Sequence, residues 1–155
     1  KLAHNILDSR QDAEECVNDA YLGTWNAIPP QRPDPLLPFV CVLVRRYSIM
    51  RYRANTAMKR NSSYDACMEE IENCIAAPGR VEDHYEAKVL ARTIERFLDT
   101  LNRENRVIFM RRYWYSDSYA AIAALTGLTE KNVSVRLARV RKQLRDYLMK
   151  QGVLT

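Results

Sequence analysis

The chain has 155 residues, 47% of them hydrophobic and 28% charged, which is enough apolar side chain for a packed core and too much for wholesale disorder. Its longest apolar run, Phe39 through Val44, stops at Arg45 and Arg46 and is far too short to cross a bilayer, so no membrane insertion is expected. The net charge of +5 is unevenly spread: two basic and five acidic side chains over 1–28, seven and one over 29–60, four and nine over 61–100, eleven and four over 101–155. Two basic blocks around an acidic one suggest two separate anionic contacts, with nucleic acid as the first candidate and merely solvated charged faces as the plain alternative.

Gly is scarce and the long segments repeat at helical spacing, which predicts an all-α protein. The start, Lys1-Leu2-Ala3-His4, has neither an initiator Met nor a charged-then-apolar signal segment, so a secretory precursor is not expected. A first helix is predicted over 12–28, with Ala13, Cys16, Val17, Ala20, Tyr21, Thr24 and Ile28 on its core side. Asp12, Glu15 and Asp19 fall together on the opposite side beside Leu22, giving an acidic face with an apolar anchor. Pro29-Pro30 ends that helix, and Pro33, Pro35 and Pro38 keep an extended loop over 29–38. A second helix is predicted from Phe39 into the fifties. Phe39, Leu43, Tyr47, Met50 and Ala54 form its buried stripe; Arg45, Ile49, Tyr52 and Arg53 form a basic and aromatic side bordered by Arg46.

The acidic stretch from Asn61-Ser62-Ser63 to the Pro78-Gly79 turn has no clean period and reads as a linker over 61–80. Two core helices follow. One, from Val81 to Leu101, carries Val89, Leu90, Ile94, Phe97, Leu98 and Leu101; the other, from Asn102 to Trp114, carries Val107, Ile108, Phe109 and Met110. Ser118 then caps a short helix, Thr126-Gly127-Leu128 makes a tight turn, and Thr129 caps a helix from Glu130 to about Leu148. Small Ala123 permits a close crossing, Gly127 supplies left-handed angles, and Ile122, Leu128, Val133 and Leu137 pack the pair. With Arg136, Arg139, Arg141, Lys142 and Arg145 on the second helix, this is a DNA-binding helix-turn-helix rather than a plain helical hairpin. The expected architecture is therefore two small helical domains, 1–60 and 81–155, joined by a linker, the second a four-helix domain with a helix-turn-helix.

The sequence resembles the extracytoplasmic-function branch of the bacterial sigma factor family, in a form lacking the family's first N-terminal helix. The stretch from Asp12 through Trp25 is similar to region 2.2, whose acidic and apolar face docks on the coiled coil of the polymerase β′ subunit. The Pro-rich loop and the helix from Phe39 resemble regions 2.3 and 2.4, which open and read the minus-ten element, and Ser118 through Leu144 resembles region 4.2, which reads the minus-thirty-five element. The resemblance implies core RNA polymerase (β′ coiled coil and β flap), promoter DNA and an anti-sigma factor as partners, in a bacterial cytoplasm.

On that basis Asp12, Glu15, Asp19, Leu22 and Trp25 are the expected polymerase contacts, carboxylates steering and apolar groups anchoring. Arg45, Arg46, Tyr52 and Arg53 are expected on backbone and unpaired bases, since single strands bind in cationic grooves with aromatic platforms; Phe39 reads as core rather than as a strand-separating wedge. In the recognition helix Lys131, Asn132 and Ser134 are best placed for base edges, with Arg136 able to read guanine or hold phosphate and Glu130 able to accept from cytosine; Arg139, Arg141 and Lys142 lie further along for phosphate, and Thr129 at the cap completes the expected DNA-binding set. Cys16, Cys41, Cys67 and Cys74 show no CxxC pairing and no metal spacing with His4 or His84, so reduced thiols and no cofactor are expected. No Gly-rich phosphate loop, HExxH or catalytic triad pattern is present, and the chain reads as a non-enzyme. The alternatives are an autonomous helix-turn-helix regulator that binds palindromic duplex DNA as a dimer, with 1–60 for dimerisation or sensing, and an adaptor whose basic helices take acidic protein partners.

Overall fold

The computed structural model describes residues 1–55, 63–75 and 84–154. Among these residues every regular element is an α-helix: α1 Leu2–Ile6, α2 Arg10–Ala27, α3 Leu36–Asn55, α4 Ser63–Ile75, α5 His84–Thr100, α6 Arg103–Tyr113, α7 Tyr119–Thr126 and α8 Glu130–Lys150. None is long and apolar enough to cross a membrane. The chain forms two compact units, Lys1–Ala66 and Cys67–Thr155.

In the first unit α2 and α3 pack along their length and α1 lies against both. Ser9 caps α2 by accepting from the Asp12 N–H at 3.2 Å. The buried side of α2 is small, Ala13, Cys16, Ala20 and Thr24, so α3 comes close. Gly23 belongs to the same contact: a Cβ there would sit 2.7 Å from the Tyr47 hydroxyl oxygen. Burial pushes the Cys16 thiol up from its ordinary range, with Arg51 countering part of that. Ala3, Ile6 and Leu7 close the end of this core.

Three expectations for this unit need correction. Tyr21 and Ile28, read as core, are exposed, because the interface of α2 with α3 is narrower than its apolar stripe. The third helix starts at Leu36 rather than Phe39; Pro38 is tolerated because a first-turn residue needs no N–H partner. Its buried line runs through Val44 and Ser48, while Met50 and Ala54 face solvent and Phe39, Leu43 and Tyr47 are half-buried. Leu36 through Val44 is apolar on almost every side, so periodicity sets no phase there, and the buried Ser48 carries no apolar signal in the sequence.

In the second unit one core joins Phe97, Leu101, Ile108, Phe109, Tyr113, Ile122, Val133, Leu137, Val140, Leu144 and Leu148. Each fully buried aliphatic side chain contributes about 1.5–3 kcal/mol relative to exposure. Val89 and Val107, expected in that core, are on the surface. The expected four helices are present as α5 to α8, but the stretch read as a linker is not a simple connector. It is helical over α4, and Cys67, Ile71, Cys74 and Ile75 pack into this core, so the second unit reaches back to Cys67. The Pro78-Gly79 turn and the start of the helix at Val81 lie outside the described residues.

Candidate nucleic-acid interfaces

Local capping chemistry places the helix-turn-helix. Ser118 Oγ accepts from the Ala121 N–H and Thr129 Oγ1 from the Asn132 N–H, each at 3.2 Å. Between them Gly127 sits at φ 72°, in the left-handed region, and its N–H reaches the Ala123 carbonyl at 2.9 Å. Ile122, Val133 and Leu137 are fully buried and fix how α7 crosses α8. With that side inward, helical geometry turns Lys131, Asn132, Val135, Arg139 and Lys142 outward on one face. All five are exposed, as are Glu130 and the cap Thr129; Ser134 and Arg136 are half-buried on the flanks.

Arg141 does not join that face. Its Nη1 donates to Glu70 Oε2 at 3.1 Å and to the Tyr113 hydroxyl at 2.7 Å. Glu70, from α4, also accepts from Arg112 Nη2 at 2.6 Å and Nε at 3.2 Å, from the Tyr119 hydroxyl at 2.8 Å and from the Tyr113 hydroxyl at 3.0 Å. Burial pulls the Glu70 carboxyl upward, but the bonds from Arg112 and Tyr119, the Arg112 charge and the Tyr113 hydroxyl hold it below the ordinary carboxylate range. Burial, with Glu70 adding to it, pushes Tyr113 well above the ordinary phenol range although Arg141 opposes the shift. Sequence spacing made Arg141 a phosphate contact; the fold makes it an internal strut, because position 141 turns toward α4, a helix the sequence did not reveal.

The connection from α6 to α7 is pinned the same way. Asp117 is buried and pairs with Arg111 Nη2 at 2.5 Å, and Arg112 Nη1 donates to the Asp117 carbonyl at 3.0 Å. Ser116, also buried, takes a left-handed φ of 55°. Arg112 lies over the Tyr119 ring, 4.6 Å from its centroid. These polar groups set where Ser118 begins α7. Sequence spacing does not reveal Glu70, Arg112 and Asp117, since their partners lie far away in sequence or in a loop; the consecutive Arg111-Arg112 pair in the last turn of the core helix α6 is the one available signal.

In the first unit the anticipated acidic face is partly spent internally. Arg51 of α3 pairs with Glu15 at 2.9 Å and lies 3.7 Å from Asp12, and Asn55 Nδ2 donates to Asp12 at 3.0 Å. Asp19 has no ion-pair partner among the described residues. Beside it Leu22 is 60% and Trp25 79% exposed, with Tyr21 at 60%, an apolar surface on a helix otherwise rich in polar side chains. On α3, Arg46 and Arg53 are exposed while Arg45 and Tyr52 are half-buried. Tyr52 is occupied: its hydroxyl donates to Asp65, and its ring meets Tyr64 edge-on at 5.2 Å between centroids. The structure thus presents Arg46 and Arg53 together and does not present Tyr52 as an open stacking platform. No group of three or more His, Cys, Asp or Glu side chains among the described residues is arranged to hold a metal ion.

A family profile for Sigma-70 region 2 matches residues 1–58, and one for Sigma-70 region 4 matches residues 91–144. No curated protein and no solved structure matches the chain. The two regions follow one another in this order, the first containing α2 and α3 and the second containing the helix-turn-helix, and together they span most of the chain. The chain belongs to the sigma-70 family of transcription initiation factors, in its two-domain extracytoplasmic-function form, and has the promoter-recognition role of that family.

Proposed function

We propose that this chain binds core RNA polymerase through α2 and directs it to a promoter whose two elements are taken by α3 and α8. The observation that carries the polymerase half is the exposed Leu22–Trp25 surface beside Asp19. A large indole and a leucine left in water on an otherwise polar helix are the anchors of an interface, and an unpaired carboxylate at the rim steers a basic partner. Asp12 and Glu15 contribute more weakly, since Arg51 already draws on them. This fits the β′ coiled coil as the partner of α2. A β flap contact by the second unit and control by an anti-sigma factor belong to the same reading and rest on family membership alone.

For DNA, Lys131 and Asn132 are placed for base edges in a major groove, with Thr129, Glu130 and Ser134 beside them, and Arg139 and Lys142 for phosphate. Arg46 and Arg53, flanked by Arg45, serve the minus-ten strand, with Tyr52 joining if its bond to Asp65 opens. The test is co-elution with purified bacterial core polymerase. Trp25→Ala and Leu22→Asp should abolish co-elution while leaving helicity and melting unchanged, because both side chains lie outside the core. Undiminished co-elution of both variants would move the polymerase surface elsewhere.

A further inference from the structure

Arg136 sits on the flank of α8 next to the first turn of α6, and its Nη1 donates to Glu104 Oε2 at 2.5 Å. These side chains come from positions 32 apart in sequence, Glu104 being 71% and Arg136 34% exposed. An ion pair this wet is screened by water, so the fold gains little from it. What it does is order a guanidinium. A free arginine at the edge of a recognition helix sweeps many rotamers and meets phosphates and bases alike; a carboxylate on one nitrogen fixes the plane and offers the remaining N–H edge in a set direction. Among the described residues no other group occupies that edge. Glu104 also places a negative charge, like that of Glu130, near the surface that carries Lys131, Arg139 and Lys142, which opposes phosphate binding in general. A carboxylate there is unfavourable for affinity and useful for selectivity.

We infer that Glu104 is a specificity-determining positioning residue, which holds Arg136 for bidentate recognition of one guanine at the element read by α8 and keeps it from serving as a general phosphate contact. The inference rests on the proposed entry of α8 into the major groove. Glu104 touches no DNA in this account and acts through Arg136.

The experiment selects bound duplexes from a pool randomised across the α8 element, with the full chain alone and mixed with core polymerase. Wild type, Arg136→Ala, Glu104→Ala and Glu104→Gln are compared, and the salt dependence of binding to an unrelated duplex is measured alongside. Wild type should show a guanine preference at one base pair that Arg136→Ala abolishes. Glu104→Ala should reduce discrimination at that same base pair about five-fold or more, with unchanged preferences elsewhere and equal or tighter binding to unrelated duplex. Glu104→Gln, which keeps an acceptor oxygen, should recover part of the discrimination. A merely structural Glu104 would instead lower the melting temperature and weaken binding at every position equally, which overturns the inference. It is also overturned if Glu104→Ala leaves the preference intact while Arg136→Ala removes it, or if Arg136→Ala changes nothing. An absence of any preference in the wild type would instead overturn the groove reading beneath it.

Discussion

Replacing Glu70 by alanine should strongly destabilise the second unit, because two guanidinium groups and two phenols converge on one carboxylate. The Arg112 side chain is 6% exposed, and without Glu70 it keeps the Asp117 carbonyl and the Tyr119 ring but loses its counter-charge. Removing one member of a fully buried pair costs about 3–5 kcal/mol. Glu70 and Arg141 are 22% and 23% exposed, so water recovers part of this, leaving about 2–4 kcal/mol. For a unit of this size that is a melting shift of about 10–25 °C. Thermal unfolding followed by circular dichroism reads it, with exposed Glu69→Ala as the control expected within about 0.5 kcal/mol of wild type. Equal melting of the two variants would refute the reasoning that Glu70 locks α4 onto α6, α7 and α8 within the second unit. The same group sets an acid response. The folded carboxyl lies below the ordinary 4.5, so the unfolded chain takes up the proton first. Its stabilisation is complete above that pH and is lost as pH falls through the folded-state value, a decline that Glu70→Gln should remove.

Gly23→Ala gains about 1 kcal/mol of helix propensity in α2 but brings a Cβ to 2.7 Å from the Tyr47 hydroxyl oxygen, so in a double-mutant melt the change should be less favourable with Tyr47 present than with Tyr47→Phe, by about 1 kcal/mol or more. Gly127→Ala meets no neighbour within 4 Å, so only its left-handed backbone matters; a loss of about 1–2 kcal/mol is expected on chemical denaturation. Asn132→Ala should cost about 1–3 kcal/mol selectively at one base position in competition binding. Arg139→Ala should weaken all duplexes alike and flatten the salt dependence, whereas Arg141→Ala should lower melting with no base-specific effect; the reverse assignment of the two arginines would contradict the geometry.

The helix-turn-helix was legible in the sequence because its determinants are local: Ser118, Gly127 and Thr129 act within four residues of themselves, and Val133 and Leu137 recur at helical spacing on α8. The all-helical class was legible for the same reason. What was not legible depended on distance. Arg141 and Lys142 look alike in a string, and only the position of α4 separates a strut from a surface charge. Glu15 and Asp12 read as solvent-facing acids until Arg51, four turns into another helix, is brought to them. Tyr52 looked like a stacking platform, yet Tyr64 and Asp65, in a stretch with no period, occupy it. The α3 stripe was misphased because its first half is apolar all round and its centre is a buried serine.

If one chain joins polymerase to two promoter elements through separate units, footprinting a promoter fragment with core polymerase, with the chain, and with both should give two separated patches of protection only when both are present. The upstream patch should be lost in Asn132→Ala and the downstream one in a variant carrying Arg46→Ala and Arg53→Ala. Tight, palindromic protection by the chain alone, unchanged by core polymerase, would show instead a regulator that acts without polymerase.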